Sequence, residues 1–252
     1  MTKIIAPVQV RMGSSRFPGK VMYEINGKPL LGHLLDRLNL SNSLNGVVVA
    51  TSDSPENDII ETYCNNRNVF CYRGSEKDVL GRTLKALQMV NASIGVEVFG
   101  DCPLIDPEIV DFMIDEFLND QSKPDFVGND LKTTFPPGMD VEVFNVKALE
   151  EADKQVSDPY IREHGTLFIR QNPHLFSIKN IEAKTQWNRP ELEMEVDVKE
   201  DIYVVSEILN CFSDKPNFTL EEIIRFLDSR PDLIAINKDV PRRWKKHRGE
   251  DA

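Results

Sequence analysis

"KIIAPVQVRMGSSRFPGK", residues 3–20, is a mostly apolar run that breaks into glycines, serines and cations. Its first part, "KIIAPVQV", has the length and composition of a buried strand. Its second part, "RMGSSRFPGK" (residues 11–20), has the ingredients of a phosphate-holding loop. Two familiar designs fail here. A P-loop needs GxxxxGK, then Ser or Thr for magnesium, then a helix at once. In this chain five residues separate Gly13 from Gly19, and Val21 stands at the hydroxyl position. The dinucleotide fingerprint GxGxxG is also missing. What remains is a third design. Gly13, Ser14 and Ser15 offer closely spaced amides and hydroxyls, and Arg11, Arg16 and Lys20 supply charge around them. Successive amides in a tight loop form an anion-binding concavity, and guanidinium forks match phosphate oxygens in pairs. A polyphosphate is the natural ligand, and a plain basic surface loop is the bland alternative.

Outward from this loop, strand and helix alternate four times in the first 120 residues. "VMYEI" continues extended into the Asn26-Gly27 turn signal, and Pro29 opens a helix over "PLLGHLLDRLNL". "GVVVATSD" is a second strand, followed by a helix from about Pro55 to Asn66. "NVFCYRG" and "DVLGRTLKALQMV" give the third pair, and "IGVEVFGDCPLI" with "DPEIVDFMIDEFL" the fourth. This pattern predicts a largely parallel sheet with helices on both faces, which binds ligands beyond the carboxyl ends of its strands. Both "RMGSSRFPGK" and "GDCPLID" fall at such ends. After Asp125 the rhythm loosens. "PDFVGND", "MDVEVFNV", "LFSIKNIE", "LEMEVDV" and "DLIAIN" read as strands. "KALEEADKQV", "YIREHGTLFIRQN", "KEDIYVVSEILNCF" and "LEEIIRFLDSR" read as helices, the last opened by a Thr219-x-x-Glu222 capping box.

The 252 residues suit one domain at about 1–240, with a regularly alternating half (about 1–120) and a looser half (about 121–240). Residues 241–252 form a basic tail that reads as a solvated or interface-docking terminus. A net charge of −11 argues against a nucleic-acid partner, although a few clustered cations can still reverse the local potential. Four cysteines without a CxxC pair and four histidines without metal spacing fit a reduced chain and disfavour a zinc enzyme. "MTKIIAPVQV" is too short and too polar for a signal peptide, and nothing approaches a spanning helix. A cytoplasmic location without membrane association is expected.

Three constellations carry chemistry. Besides the loop, "GDCPLID" places Asp101 at a strand end in the same crevice, where a carboxylate can hold magnesium on phosphate oxygens. Asp106, just before Pro107 and a helix, reads as an N-cap instead. In "EMEVDVKEDI", Glu193 and Glu195 alternate along one side of the expected strand. Asp197 reads either as a second magnesium ligand or as a strand-end cap. His33 and His174 read as packing or surface residues, His164 as a helix-surface group or a substrate contact, and Trp187 and Trp244 as interface anchors.

Taken together, "RMGSSRFPGK", "GKPLL", "RGSEKDVLGR", "GDCPLIDP", "PPGMDVEVF", "REHGT" and "VDVKEDI" occur in an order that resembles the cytidylyltransferase family. The likeness is to the acylneuraminate and 3-deoxy-manno-octulosonate type, with the spore-coat polysaccharide branch nearest. It spans about residues 3–210. The resemblance implies a nucleotide-diphospho-sugar transferase fold: an α/β, Rossmann-like, GT-A-type, three-layer arrangement with a mixed, mostly parallel sheet. It implies that Arg11, Gly13, Ser14, Ser15, Arg16 and Lys20 hold the triphosphate, and that Arg73, Ser75, Asp78 and Arg82 seat base and ribose. Asp101 and Asp197 would hold Mg2+, with Arg11, Lys20 and Asp101 carrying the catalysis. Asp140, Glu142, Arg162 and His164 would approach the acceptor, which makes about 1–120 the nucleotide-binding half and about 121–240 the acceptor and dimerisation half. The sequence departs from the family pattern with Val10 in place of alanine and Val198-Lys199 in place of Thr-Pro. The implied activity is transfer of CMP from CTP to an acidic sugar with release of pyrophosphate, for surface polysaccharide or glycan synthesis, by a homodimer. A UTP- or GTP-dependent sugar-phosphate nucleotidyltransferase and a non-catalytic nucleotide-binding module are the rival readings.

Overall fold

The computed structural model describes residues 2–242; Met1 and residues 243–252, with Trp244, His247 and most of the basic tail, lie outside the described residues. The opening strand β1 (Ile4–Gln9) lies between β4 (Val47–Ser52) and β6 (Ile94–Glu97), parallel to both. Such a strand is covered on both faces, which is why it reads as continuously apolar. Beyond β4 lies β5 (Phe70–Gly74). Beyond β6 come β8 (Glu142–Asn145), β7 (Phe126–Gly128) and β9 (Ile178–Asn180). The order is β5-β4-β1-β6-β8-β7-β9, and β8 alone among the seven runs against its neighbours. One sheet therefore takes strands from both halves of the chain.

The period of two along each strand divides the core. Ile4, Ala6 and Val8 of β1 join one apolar cluster, with α1 (Leu30–Leu38), α2 (Asp58–Asn66), α4 (Pro107–Leu118), α8 (Lys199–Cys211) and α9 (Leu220–Asp228). Ile5 points the other way, into a second cluster with α3 (Val79–Met89), α5 (Val146–Gln155) and α7 (Leu167–Gln171). Val127 and Val143 fall in the first cluster, and Phe126 and Phe144 in the second. The result is helix, sheet and helix in three layers.

Chain order places β4 and β5 on one side of β1 and β6 on the other. The switch point between β1 and β6 opens a crevice at their carboxyl ends, where the loop after β1 and the Gly-Asp turn after β6 lie.

Several expected elements differ. Lys20–Met22 is a single 3-10 turn, not the start of an extended run. Only Glu24–Ile25 (β2) pairs, with Lys28–Pro29 (β3), around Asn26 and Gly27 at φ 54 and 72. "LEMEVDV" forms no strand. The Met194 amide donates to Pro137 O at 2.8 Å and the Val196 amide to Asp101 O at 2.8 Å, so its bonds go to two loops and not to a neighbouring strand. Gly138, at φ 102, permits this packing, because a Cβ there would lie 2.7 Å from the Glu195 nitrogen. "DLIAIN" is helical: α10 (Pro231–Asn237) begins with proline at its first turn and buries Leu233 and Asn237, four residues apart. The expected helix over "YIREHGTLFIRQN" is two short ones, α6 (Pro159–Arg162) and α7, separated at 163–166. Trp187 is not an interface anchor. It is buried, with ring centroids 5.6 Å from Phe112 and 6.0 Å from Phe135. Among the described residues no helix is long and apolar enough to cross a membrane.

Candidate active site

The loop after β1 is anchored at Met12, whose amide donates to Asn57 Oδ1 at 2.8 Å and whose carbonyl accepts from Ser14 and Gly19. Gly19, at φ 76, then turns the chain into the Lys20–Met22 turn and sends the Lys20 side chain inward. On the facing strand end, Gly100 packs directly on β1, since a Cβ there would lie 2.4 Å from Gln9 O. That close approach brings Asp101 to the loop. The Lys20 ammonium donates to Asp101 Oδ2 at 2.9 Å, Val196 O at 2.6 Å and Asp197 Oδ1 at 3.3 Å. Arg16 pairs with the other oxygen of Asp197 and donates to Pro241 O at 3.1 Å. Burial pulls the Lys20 pKa down, but Asp101 and Asp197 outweigh it and hold the ammonium above its ordinary value.

Two cavities meet at this cluster and share Arg11, Arg16, Asp101 and Asp197 in their walls. The smaller, about 300 Å3, is the loop side, lined also by Ser14, Ser15 and Lys20. The larger, about 450 Å3, extends toward Arg82, Asp140, Glu142 and His164. Gly13, in the same loop, is exposed and lines neither. Arg11 reaches Glu76 at 3.4 Å and Glu163 at 3.8 Å across the mouth.

The larger cavity is acidic: eight carboxylate side chains line it against four guanidinium groups. The protein keeps part of that charge suppressed. Burial pushes Glu97 up to about 7, with Asp130 adding to the shift and Arg170 opposing it. Burial likewise raises Glu142, reinforced by Asp130 and Glu97, and Glu195, reinforced by Asp101, Asp197 and Asp140. Glu142 is also tied down by the Thr166 hydroxyl and by Arg170, 2.8 Å away, which bonds Asp130 at 2.9 Å as well.

Besides Gly13, four of the residues expected at the nucleotide or acceptor line neither cavity: Arg73, Ser75, Asp78 and Arg162. Arg73 is held against α2 by Asp58 at 2.6 Å and Glu61 at 2.8 Å. Asp78 caps α3 through the Gly81 amide and takes the Arg162 guanidinium in a two-pronged pair at 2.9 and 2.8 Å. These two residues join α3 to α6. Ser75 is exposed and offers its carbonyl to Arg82 at 2.7 Å. Arg82 itself lines the larger cavity, oriented by Gln9 Oε1 at 3.0 Å. His164 lines it too, with its ring 5.1 Å from Tyr160. Sequence reading missed Gln9, Glu97, Phe99, Asp130, Thr166 and Arg170. The one available signal was Glu97, a charge inside the otherwise apolar "IGVEVFG".

Asp101 and Asp197 present oxygen donors around one point, where the Lys20 cation sits. This donor set suits a hard divalent cation that takes one or two carboxylates and completes its shell with phosphate oxygens. Among the described residues no three or more His, Cys, Asp or Glu side chains form a ready cage, so the substrate would have to supply the remainder.

Comparison with known proteins agrees with this geometry. A family model described as cytidylyltransferase matches residues 5–239. The spore coat polysaccharide biosynthesis protein SpsF of Bacillus subtilis is 32% identical over 240 residues, covering 93% of this chain and 98% of that protein. An 8-amino-3,8-dideoxy-manno-octulosonate cytidylyltransferase of a Shewanella species is 34% identical over 116 residues, 45% of this chain and 47% of its own. The solved structure of a cytidylyltransferase from Leptospira borgpetersenii serovar Hardjo-bovis superposes with a TM-score of 0.87 at 32% identity, over 93% of this chain and 97% of that one.

Proposed function

The chain belongs to the cytidylyltransferase family, and on that premise we propose that it transfers CMP from CTP to an acidic sugar, with release of pyrophosphate, in the synthesis of a surface polysaccharide or glycan. The observation that carries this reading is the Lys20 ammonium between Asp101 and Asp197, at the junction of a loop-lined cavity and a larger one. The names of the SpsF and Shewanella relatives support the polysaccharide setting and the acidic sugar.

In this reading the triphosphate lies in the smaller cavity and the acceptor in the larger. An acceptor hydroxyl attacks the α-phosphate and pyrophosphate leaves. Such chemistry asks for alignment and charge neutralisation more than for a covalent residue. Arg11, Arg16 and Lys20 draw in the phosphates, and Lys20 follows the charge that builds on the departing pyrophosphate. Asp140, Glu142 and His164 face the acceptor, with Thr166 and Arg170 fixing the Glu142 carboxyl. Asp101 and Asp197 would hold a magnesium ion, which would supply positive charge to offset that of the phosphates. We further propose a cytoplasmic homodimer, which sedimentation equilibrium and cell fractionation would test.

The deciding experiment is thermal unfolding with magnesium and CTP, UTP, GTP or ATP in turn. A ligand at about 100 times its dissociation constant adds roughly 2.7 kcal/mol of stability. A shift with CTP alone is expected. A shift with UTP or GTP instead would transfer the reading to a sugar-phosphate nucleotidyltransferase, and none with any nucleotide would favour a chain that has lost the chemistry.

A further inference from the structure

We propose that Arg242 is a positioning residue for the candidate active site, holding Asp197 and Arg16 in place through Asp201 and the Pro241 carbonyl. By sequence Arg242 belongs to a basic tail, where an arginine is ordinarily solvated. Here its side chain is 0% exposed and so is that of Asp201. The two form a bidentate pair, with Arg242 donating to Asp201 Oδ2 at 2.9 Å and to Oδ1 at 2.7 Å. Arg242 also donates to Asn237 O at 3.2 Å, and its Nε lies 3.5 Å from Glu193 Oε2.

Asp201 also holds the backbone of the site. Its Oδ2 accepts from the backbone amides of Asp197 at 2.8 Å and Val198 at 2.9 Å. Val198 stands at the cap position of α8 and has no side-chain oxygen, so Asp201 does that work from the first turn. The backbone bearing the Asp197 carboxylate is thereby tied to a buried arginine forty-odd residues later. The neighbouring Pro241 carbonyl accepts from Arg16, whose other arm pairs with Asp197. The end of the described chain thus closes a ring of contacts around two site residues. The inference rests on Asp197 belonging to the nucleotide and magnesium site proposed above.

The test is calorimetric titration of the full-length chain with CTP, once with magnesium and once with EDTA, for wild type, Arg242→Lys, Arg242→Ala, Asp197→Asn and the Asp197→Asn/Arg242→Lys double variant. The lysine variant keeps the buried charge and loses the fork, so it remains informative if the alanine variant does not fold. In wild type, magnesium should tighten CTP binding. That gain should fall about tenfold in Asp197→Asn and in Arg242→Lys, as when a partner supporting a metal ligand is removed. The double variant should lose no more than Asp197→Asn alone, because both changes act on one group. A merely structural arginine would lower the thermal midpoint and leave the magnesium gain intact. The inference is overturned if folded Arg242 variants keep the gain that Asp197→Asn loses, or if the two losses multiply. If wild type shows no magnesium gain, or Asp197→Asn keeps it, the metal reading itself fails and the inference falls with it.

Discussion

The Lys20 side chain is 10% exposed, yet it carries a cation because two carboxylates and a carbonyl surround it. Removing one carboxylate separates the chemical role from the structural one. Asp101→Asn keeps the shape and one hydrogen-bonding oxygen, so the chain should fold with an unchanged circular dichroism spectrum. Turnover of CTP should nevertheless fall on the order of 100-fold, as for the loss of one electrostatic contact to a transition state. Near-normal turnover would remove Asp101 from the mechanism. Most residues of this cluster were legible from their types and their places at strand ends. The Asp78–Arg162 pair was not, because a motif shows which residues occur together and not which of them bond one another.

Among the elements, the helix pair α4 and α9 shows how a single side chain serves two ends. Asp106 Oδ1 accepts from Glu108 N at 2.9 Å to cap α4, and Oδ2 accepts from Leu220 N at 2.5 Å at the start of α9. Buried beside it, Arg37 satisfies the carbonyls of Ile105, Pro216 and Phe218. The N-cap was readable from "DPEIV", but its second partner, 114 residues away, was not. Asp106→Ala should therefore cost about 2–3 kcal/mol, more than the ~1 kcal/mol of an ordinary cap, since a second buried amide loses its acceptor. Urea denaturation would measure this, and a loss under 1 kcal/mol would mean that the contact to α9 contributes nothing. The misread "DLIAIN" belongs to the same scale. Its apolar run fits a strand or a helix equally well, and only docking of Leu233 and Asn237 selects the helix.

For the whole molecule, the acidic interior predicts a pH signature. Glu97 is fully buried, and its pKa rises from 4.5 to about 7 in the folded chain. The folded state thus holds a proton that the unfolded state releases, so this group's contribution to stability is intact below pH 4.5 and declines until about pH 7. Glu97→Gln cannot lose that proton, so the variant should gain on wild type by roughly 2 kcal/mol across this range. Denaturant midpoints at pH 5 and pH 7.5 would show it, and parallel pH dependence in both proteins would mean that Glu97 is ionised in the folded state. The downward shifts of Asp36, Asp78 and Asp201 act as pH falls through the ordinary 3.8 and leave this window flat, whereas Glu142 and Glu195 shift upward as Glu97 does and steepen the wild-type decline, which is why the difference between the two proteins is the informative quantity.

The strand–helix alternation, the loop after β1, the Gly-Asp turn after β6 and the helix caps were all determined locally, by apolar period, by glycine at tight positions and by side chains that bond their own turn. The family likeness follows from the order of those local signals. Tertiary structure alone decided the rest. It brought Asp197 beside Lys20 across 177 positions, buried Arg242 of a basic tail against Asp201, left "LEMEVDV" outside the sheet, and turned Arg73, Asp78 and Arg162 away from the cavity. The physical reason is that a charge in sequence carries no record of its solvent. Whether it becomes a ligand, a brace between helices or a solvated side chain depends on which distant chain excludes water from it.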